Sequence, residues 1–386
     1  MMPKRSSDRT FVGWLGESAR AGIGNPLGVT PEALLHYDPA VFSQLNLPSY
    51  GATMAPLKAI LEDRVPTFWE PMASPPCYAQ LFPRRVGLSK AVLLDVMAAN
   101  DVLRFLAQVQ PNDIDDYDVL LSKFRTNRYG GIAVVGNGYA VVELAPGLQS
   151  PVAHGSVAVS TYVVLDAVSG MVSGPDSASE QLSRHVLERL KVPPCQPTDA
   201  FVAVSVGRGT YLRGYFEFAY IDSFANDSVS SQVDELIFLD ARSEDGLIHQ
   251  DKDRLADLLE PKGVGTSVIA RGTAASAGSV RGVVVLRGEN GFNPDALPPD
   301  AILVLDQAVP ADIEAVIAAV GMVCTRGGIT SHAAMLARSL RKPTIVGVGE
   351  LQIEPDIGCV RKNGEIVLRT GDRIVLDADR GLVILE

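Results

Sequence analysis

Residues 325–338 read TRGGITSHAAMLAR, which places a single histidine where a glycine-containing loop meets an amphipathic turn. Downstream of the histidine, alanine and leucine residues recur at helical spacing. Thr330 or Ser331 is the predicted N-cap, because a hydroxyl there satisfies a free backbone N–H of the first turn. The stretch therefore predicts that His332 lies in the first turn of a helix.

A histidine in this position could act as a nucleophile and hold a phosphoryl group on its imidazole. A helix N-terminus attracts anions, and Gly327 and Gly328 let the backbone approach a ligand closely. An imidazole with an unperturbed pKa of about 6.5 is mostly neutral and nucleophilic at pH 7. On the local pattern alone, a structural histidine at a helix start is the alternative.

Composition bounds the function classes. The chain has 386 residues, of which 47% are hydrophobic and 20% are charged, enough for two or three domains. Its net charge of −11 argues against nucleic acid or an anionic membrane as the main partner. No 18-residue apolar stretch and no signal-peptide pattern occur, so a cytoplasmic protein without a membrane span is expected. The four cysteines lack CxxC spacing and are expected to be free thiols.

Patterning along the chain predicts an α+β architecture. A stripe of apolar residues at spacings of four and three predicts a helix between Val86 and Ala107. Two apolar runs flanking residues 136–138 predict a β-hairpin. A second helix is predicted over Leu182–Leu190. Further strands are predicted at Asp118–Leu121, Val157–Leu165, Phe201–Val206, Tyr215–Tyr220 and Leu236–Leu239.

Two of these predicted strands carry a second group of polar residues. Glu217 alternates with aromatic residues in one strand, and Asp240 and Arg242 end the next. Carboxylates are the ligands that Mg²⁺ prefers, and arginine pairs with phosphate oxygens. These residues suggest a site for a metal and a polyphosphate, although spacing alone favours a structural ion pair on a half-exposed sheet.

The residues around His332 resemble the phosphohistidine, or swivelling, domain of the phosphoenolpyruvate-utilising enzymes. That domain carries the motif T-x-G-G-x-T-S-H-A-A, which is matched in full, with an Ala-Arg pair further on. Residues 272–278, 343–347 and 377–383 extend the similarity. The resemblance implies that His332 takes a phosphoryl group from a nucleotide and carries it to a second site. It also implies that Thr330 bonds the phosphohistidine and that Arg326 or Arg338 offsets its charge.

Residues 215–219 and 236–242 are similar to the end of the ATP-grasp domain in pyruvate phosphate dikinases and phosphoenolpyruvate synthases. This resemblance implies that Glu217 binds Mg²⁺ and that Arg242 binds the phosphates of ATP, whereas Asp240 is a second candidate Mg²⁺ ligand from the residue pattern alone. Asp240 stands where the family usually has glutamine. Residues 141–147, the pair His154-Gly155 and residues 161–164 also resemble the family's nucleotide domain.

The predicted fold is a multidomain α+β and α/β chain, with an ATP-grasp-like nucleotide domain followed by a swivelling β/α phosphohistidine domain. The predicted segments are 1–115 and 116–243 for the two parts of a reduced ATP-grasp-like domain, 244–265 for a charged linker and 266–386 for the phosphohistidine domain.

The predicted function is ATP-dependent phosphotransfer through His332 to a small-molecule acceptor. Because the chain ends near the phosphohistidine domain, no phosphoenolpyruvate-binding barrel is expected. The alternative is a carrier or regulatory subunit that a partner enzyme charges on His332. A partner subunit that completes the nucleotide or acceptor site is a further expectation.

Overall fold

The structure is a computed structural model, which describes residues 40–84, 88, 91–165, 168–173, 177–221, 235–243, 248, 252, 255, 268–288 and 291–386. Its contacts divide it into two compact units. The first comprises Met1–Thr126 with Ile221–Leu239, and the second comprises Asn127–Tyr220 with Asp240–Glu386. The predicted linker 244–265 lies almost entirely outside the described residues. Of its described residues, Ile248 and Leu255 are buried against the core of a six-stranded sheet.

The first unit contains a four-stranded antiparallel sheet with short helices on it. Its elements are α1 (Ala40–Gln44), β1 (Ala52–Pro56), α2 (Leu57–Leu61), β2 (Cys77–Pro83), β3 (Ala91–Val96), α3 (Ala99–Leu106) and β4 (Tyr117–Lys123). The strand order is β1-β4-β2-β3. Short 3₁₀ helices at Pro66–Ala73 and Pro111–Asp116 complete the connections.

The helix predicted between Val86 and Ala107 is confirmed over Ala99–Leu106 and wrong over Ala91–Val96. Residues 91–96 form strand β3, which pairs with β2 so that Val92 lies opposite Gln80. Helix α3 then buries Val102 and Leu106 and leaves Leu103 exposed. The apolar spacing coincides with a helical period, but pairing with β2 decides the conformation of its first half.

A six-stranded sheet follows in the chain. Its elements are β5 (Asn127–Gly136), β6 (Tyr139–Pro146), α4 (Gln149–His154), β7 (Ser160–Leu165), β8 (Val168–Ser173), α5 (Ser177–Leu190), β9 (Ala203–Val206), β10 (Gly209–Leu212), β11 (Gly214–Ile221) and β12 (Glu235–Arg242). The strand order is β12-β11-β5-β6-β7-β8. Strands β9 and β10 form a separate hairpin.

The predicted hairpin at residues 136–138 is confirmed. Gly136 pairs with Tyr139, and Gly138 has a φ of 78°, a value that a tight two-residue turn requires and that glycine adopts readily. The helix predicted over Leu182–Leu190 is also confirmed as part of α5. Strand β6 is buried along almost its whole length, so both of its faces pack against protein.

The C-terminal part of the second unit contains an eight-stranded mixed sheet. Its elements are β13 (Val268–Arg271), β14 (Thr273–Ser276), β15 (Ser279–Leu286), β16 (Ala301–Leu305), α6 (Ile313–Ala318), β17 (Gly321–Cys324), α7 (His332–Ser339), β18 (Thr344–Val346), β19 (Leu351–Glu354), β20 (Cys359–Lys362), β21 (Glu365–Arg369), β22 (Arg373–Asp377) and β23 (Leu382–Leu385). The strand order is β13-β23-β22-β15-β16-β17-β18-β14, and β19, β20 and β21 form a small separate sheet.

Strands β15 to β18 run parallel, which sets the position of His332. The chain leaves the carboxyl end of β17 at Cys324 and enters α7 at His332. Ligands of α/β sheets bind outside the carboxyl ends of such strands. Residues 325–331, here termed the histidine loop, therefore lie where the fold favours a ligand.

Candidate functional site

The histidine loop ends in a capped helix start, as its sequence predicts. Ser331 is the N-cap of α7, with an extended backbone, and its hydroxyl accepts a hydrogen bond from the N–H of Ala334 at 3.4 Å. His332 is the first helical residue and is partly exposed, whereas Thr330 and Ser331 are buried. The exposed edge of the imidazole is therefore held at a helix N-terminus.

The loop is attached to the six-stranded sheet through Glu143 of β6. The carboxylate accepts the N–H of Ile329 at 2.8 Å, the N–H of Thr330 at 2.9 Å and the hydroxyl of Thr330 at 2.5 Å. Thr161 of β7 donates a fourth hydrogen bond at 3.1 Å. Glu143 is completely buried, and four donors offset the cost of removing a carboxylate from water.

Packing around this contact is tight and partly apolar. Ile329 is buried in the apolar core of the sheet, where Val152 and Ala153 are neighbours in the same cluster. A methyl group at Gly328 would overlap the Glu143 carboxylate, and one at Gly327 would come within 3.0 Å of the Cα of Gly155. The loop can make these contacts only because glycine occupies both positions.

A second histidine faces His332. The ring of His154, the last residue of α4, lies with its centroid 5.3 Å from that of His332, and the rings are nearly perpendicular at 80°. The Ser150 hydroxyl lies 3.1 Å from Nδ1 of His154. Gly155 closes α4 in a left-handed conformation with a φ of 72°. The end of α4 thus packs against the start of α7.

Glu217, Asp240 and Arg242, here termed the strand-end cluster, lie on neighbouring strands as predicted. Asp240 accepts hydrogen bonds from Nε and Nη2 of Arg242 at 3.0 and 2.8 Å and one from the N–H of Ala241. Glu217 accepts the side-chain N–H of Gln149 at 2.5 Å and the hydroxyl of Tyr215 at 3.2 Å.

Electrostatics in the strand-end cluster favour the charged arginine. Asp240 is the largest cause of a raised pKa at Arg242, and Glu217 adds to it. Burial, followed by the charge of Glu217, raises the pKa of Tyr215 well above its ordinary value. Tyr215 therefore stays a neutral donor to Glu217, and the Arg242 guanidinium lies 5.9 Å from the Tyr215 ring centroid.

Helix α4 connects the histidine loop with the strand-end cluster. Gln149 at its first position contacts Glu217, and His154 at its last position contacts His332. Five residues of α-helix span roughly 7–8 Å. The two groups of residues that the sequence singles out are therefore joined by one rigid turn and a half of helix.

The two arginines of the histidine motif occupy different environments. Arg326 is exposed and donates to the carbonyl of Ser156 at 3.4 Å. Arg338 is buried in α7 and donates to the carbonyls of Ala275 and Ile329, both at 2.7 Å. Arg338 therefore stabilises the histidine loop through its backbone. The role in charge compensation stays a prediction for both residues.

The strand-end cluster has a donor set that suits Mg²⁺. This ion commonly takes one or two carboxylates together with substrate phosphate oxygens and water, and Glu217 and Asp240 provide that number. Each of the four carboxylate oxygens already has a donor in the protein. Across the described ranges, no group of three or more His, Cys, Asp or Glu side chains is placed to hold a metal. Binding would therefore exchange some of these hydrogen bonds.

Sequence reasoning did not assign Glu143, His154, Gln149 or Thr161 as site residues, although all but Gln149 lie in segments that resemble the family's nucleotide domain. A further signal was that Glu143 is a single acidic residue inside the apolar run of β6. A buried carboxylate requires donors, but the pattern does not say that they come from residues 329 and 330.

Comparison with known proteins supports the C-terminal part of this description. Residues 297–381 match the family model of the PEP-utilising enzyme mobile domain. The chain is 35% identical over 125 residues to the chloroplastic pyruvate, phosphate dikinase of Flaveria pringlei, covering 32% of this chain and 13% of that protein. It is 33% identical over 147 residues to the pyruvate, phosphate dikinase of Rickettsia conorii, covering 37% and 16%. Residues 297–381 are therefore similar to the mobile domain of PEP-utilising enzymes.

The matches leave most of the relatives' length uncovered. The chain spans roughly a seventh of these curated dikinases. Among solved structures, the D-alanine–D-alanine ligase of Bacillus anthracis aligns over 63% of this chain and 67% of its own, at 9% identity and a TM-score of 0.25. That score is too low to establish a common fold. Within the described residues, no helix is both long and apolar enough to span a membrane.

Proposed function

We propose that this protein is an ATP-dependent phosphotransferase in which His332 carries the phosphoryl group to a small-molecule acceptor. The observation that carries this proposal is the position of His332 at the capped start of α7, beside His154 of α4. The other end of α4 contacts Glu217 of the strand-end cluster. The geometry supports a phosphoryl acceptor next to a polyphosphate site.

In the first half-reaction, a neutral imidazole nitrogen of His332 attacks a phosphorus atom of ATP. By resemblance to the family, the attack falls on the β-phosphorus. A nitrogen–phosphorus bond forms, the bond from the β-phosphorus to the bridging oxygen of AMP breaks, and AMP leaves with the electron pair. Water then removes the terminal phosphate, which leaves one phosphoryl group on His332.

The strand-end cluster would position the nucleotide. Arg242 is charged and supplies a forked donor for phosphate oxygens. Glu217 and Asp240 would hold Mg²⁺, which when bound neutralises phosphate charge. Positioning and electrostatic stabilisation account for most of the rate acceleration expected in such a transfer.

In the second half-reaction, the phosphoryl group passes to the acceptor. The acceptor oxygen bonds to phosphorus, the nitrogen–phosphorus bond breaks, and the imidazole regains its electron pair while the acceptor proton is released. The histidine loop must leave the sheet for this step, since Glu143 and Ile329 hold it there. A swivelling C-terminal domain and, where needed, a partner subunit that completes either site belong to this proposal.

One observation favours the alternative, a carrier or regulatory subunit charged on His332 by a partner enzyme. Every carboxylate oxygen of the strand-end cluster accepts a hydrogen bond within the protein, and Arg242 is paired with Asp240. A site that is satisfied in this way binds a nucleotide only by exchanging partners.

The deciding experiment uses ATP labelled separately at the β and γ positions. The purified chain and a His332→Ala variant are incubated with Mg²⁺ and each nucleotide, and acid-labile, base-stable label on the protein is measured. Label from the β position that is absent from the variant supports autonomous phosphotransfer. Label from the γ position alone would correct the site of attack, and an unlabelled protein would favour the partner-charged carrier.

A further inference from the structure

Glu143 occupies an arrangement of donors that is suited to an anion. Two consecutive backbone N–H groups, of Ile329 and Thr330, and the Thr330 hydroxyl converge on its carboxylate at 2.5–2.9 Å. Consecutive N–H groups with a hydroxyl at a helix start are typical of sites that bind phosphoryl oxygens. Here a carboxylate from another part of the chain fills that position.

The donors cannot serve two anions at once. The carboxylate packs so closely that a methyl group at Gly328 would overlap it, and its side chain is completely buried. A phosphoryl group on His332, two residues after Thr330 in the chain, carries a charge of about −1.5 to −2 at pH 7 and competes for the donors that Glu143 occupies. In a site that excludes water, two anions repel each other strongly.

We propose that Glu143 is the residue that docks the unphosphorylated histidine loop, and that phosphorylation of His332 releases the loop from Glu143. This inference rests on the proposed function, because it assumes that His332 carries a phosphoryl group. Glu143 acts through Thr330 and Ile329, so it is a positioning residue. It holds His332 beside α4 before the phosphoryl group is transferred to His332. After that transfer Glu143 gives up its donors, so the phosphorylated loop leaves the sheet.

The test reports loop release without using ATP. A Thr161→Cys variant places a thiol under the loop, at a position only 1% exposed, in a chain whose four native cysteines are all free and buried. The rate at which the introduced thiol reacts with a maleimide measures uncovering. Phosphoramidate then phosphorylates imidazoles directly: its phosphorus–nitrogen bond breaks, a new one forms to the imidazole, and ammonia leaves. A failed ATP reaction therefore leaves this test intact.

We expect the thiol introduced at position 161 to react slowly in the untreated protein and about tenfold faster after phosphorylation of His332. Phosphoramidate should not change the rate in a Thr161→Cys, His332→Ala protein. Addition of Glu143→Gln should make the thiol reactive before any phosphorylation, because an amide presents an N–H to the loop donors. The matched control is Glu180→Gln, at a carboxylate paired with Arg184 on the surface of α5, which should leave the rate unchanged.

Three results would overturn the proposal. The first is a stoichiometric phosphohistidine at position 332 with the introduced thiol still protected. The second is a Thr161→Cys, Glu143→Gln protein whose introduced thiol reacts as slowly as that of the Thr161→Cys protein. The third is failure of His332 to accept the phosphoryl group from phosphoramidate in both of these proteins. If the Glu143→Gln protein does not fold, Glu143→Asp replaces it. The comparison of thiol reaction rates with and without phosphoramidate in the Thr161→Cys protein then still decides whether phosphorylation releases the loop.

Discussion

The carboxylate of Glu143 accepts both the backbone N–H and the hydroxyl of Thr330, at 2.9 and 2.5 Å, although the two residues are 187 positions apart in the chain. This pair joins a buried strand of the six-stranded sheet to the motif that carries His332. Substitutions in β6 should therefore affect the histidine loop, and substitutions in the loop should affect the packing around Glu143.

Gly328→Ala tests how closely the loop fits against Glu143. The added methyl would overlap the carboxylate, so the loop must shift and lose donors. We expect the free energy of unfolding in urea to fall by about 1–3 kcal/mol. The control is Gly349→Ala, where nothing lies within 4 Å of the added methyl. Equal stabilities of the two variants would contradict the fit described here.

The contact between His154 and His332 gives a second prediction. His154→Ala removes the ring whose centroid lies 5.3 Å away, and such ring contacts contribute about 0.5–1.5 kcal/mol. If this contact energy is lost from the transition state, labelling of His332 from ATP should slow by about twofold to thirteenfold. His154→Phe should restore most of the rate, because the ring is what packs. A phenylalanine variant as slow as the alanine variant would show that an imidazole nitrogen is needed.

Asp240→Asn separates the nucleotide site from the carrier. The substitution removes the carboxylate that accepts two hydrogen bonds from Arg242 and one of two predicted Mg²⁺ ligands. We expect labelling from ATP to fall by about a hundredfold, while labelling of His332 by phosphoramidate stays unchanged. If the variant takes label from ATP at the parent rate, Asp240 does not belong to the nucleotide site.

Arg338 should matter for stability more than an exposed arginine does. It is buried and donates to the carbonyls of Ala275 and Ile329. Arg338→Met leaves both carbonyls without this donor, and we expect a loss of about 2–4 kcal/mol in the free energy of unfolding. Arg380→Met, at an exposed residue, serves as the comparison and should change it by less than about 0.5 kcal/mol.

Cys324 gives a prediction in pH. Burial raises the pKa of its thiol from 9.0 to about 12. The folded state therefore favours the protonated thiol more than the unfolded state does. This contribution to stability is fully present below pH 9 and is lost as the pH rises toward 12. The stability advantage of the parent over Cys324→Ala should shrink as the pH rises from about 9 to 10.5 in urea unfolding, and a constant difference would contradict the assignment.

Local signals predicted much of this structure. The Ser331 cap, the hairpin at Gly138 and the neighbouring strands of Glu217 and Asp240 each depend on residues close in sequence or on simple alternation. The segment at residues 91–96 was misassigned because its partner strand, and not its own spacing, determines its conformation.

The docking contacts lay beyond such signals. Glu143 and His154 acquire their roles from the histidine loop, which is distant in the chain, and no periodicity encodes that pairing. From the sequence one could predict only that Glu143 has hydrogen-bond donors, because an acidic residue within a buried strand requires them. The sequence does not identify those donors.

The burial of Ile329 in the core of the six-stranded sheet has a thermodynamic consequence. Any departure of the histidine loop brings this side chain and its apolar neighbours into contact with water, and hydration of apolar surface raises the heat capacity. The equilibrium between the docked and released loop should therefore follow a curved van't Hoff plot, with the docked form most favoured at an intermediate temperature.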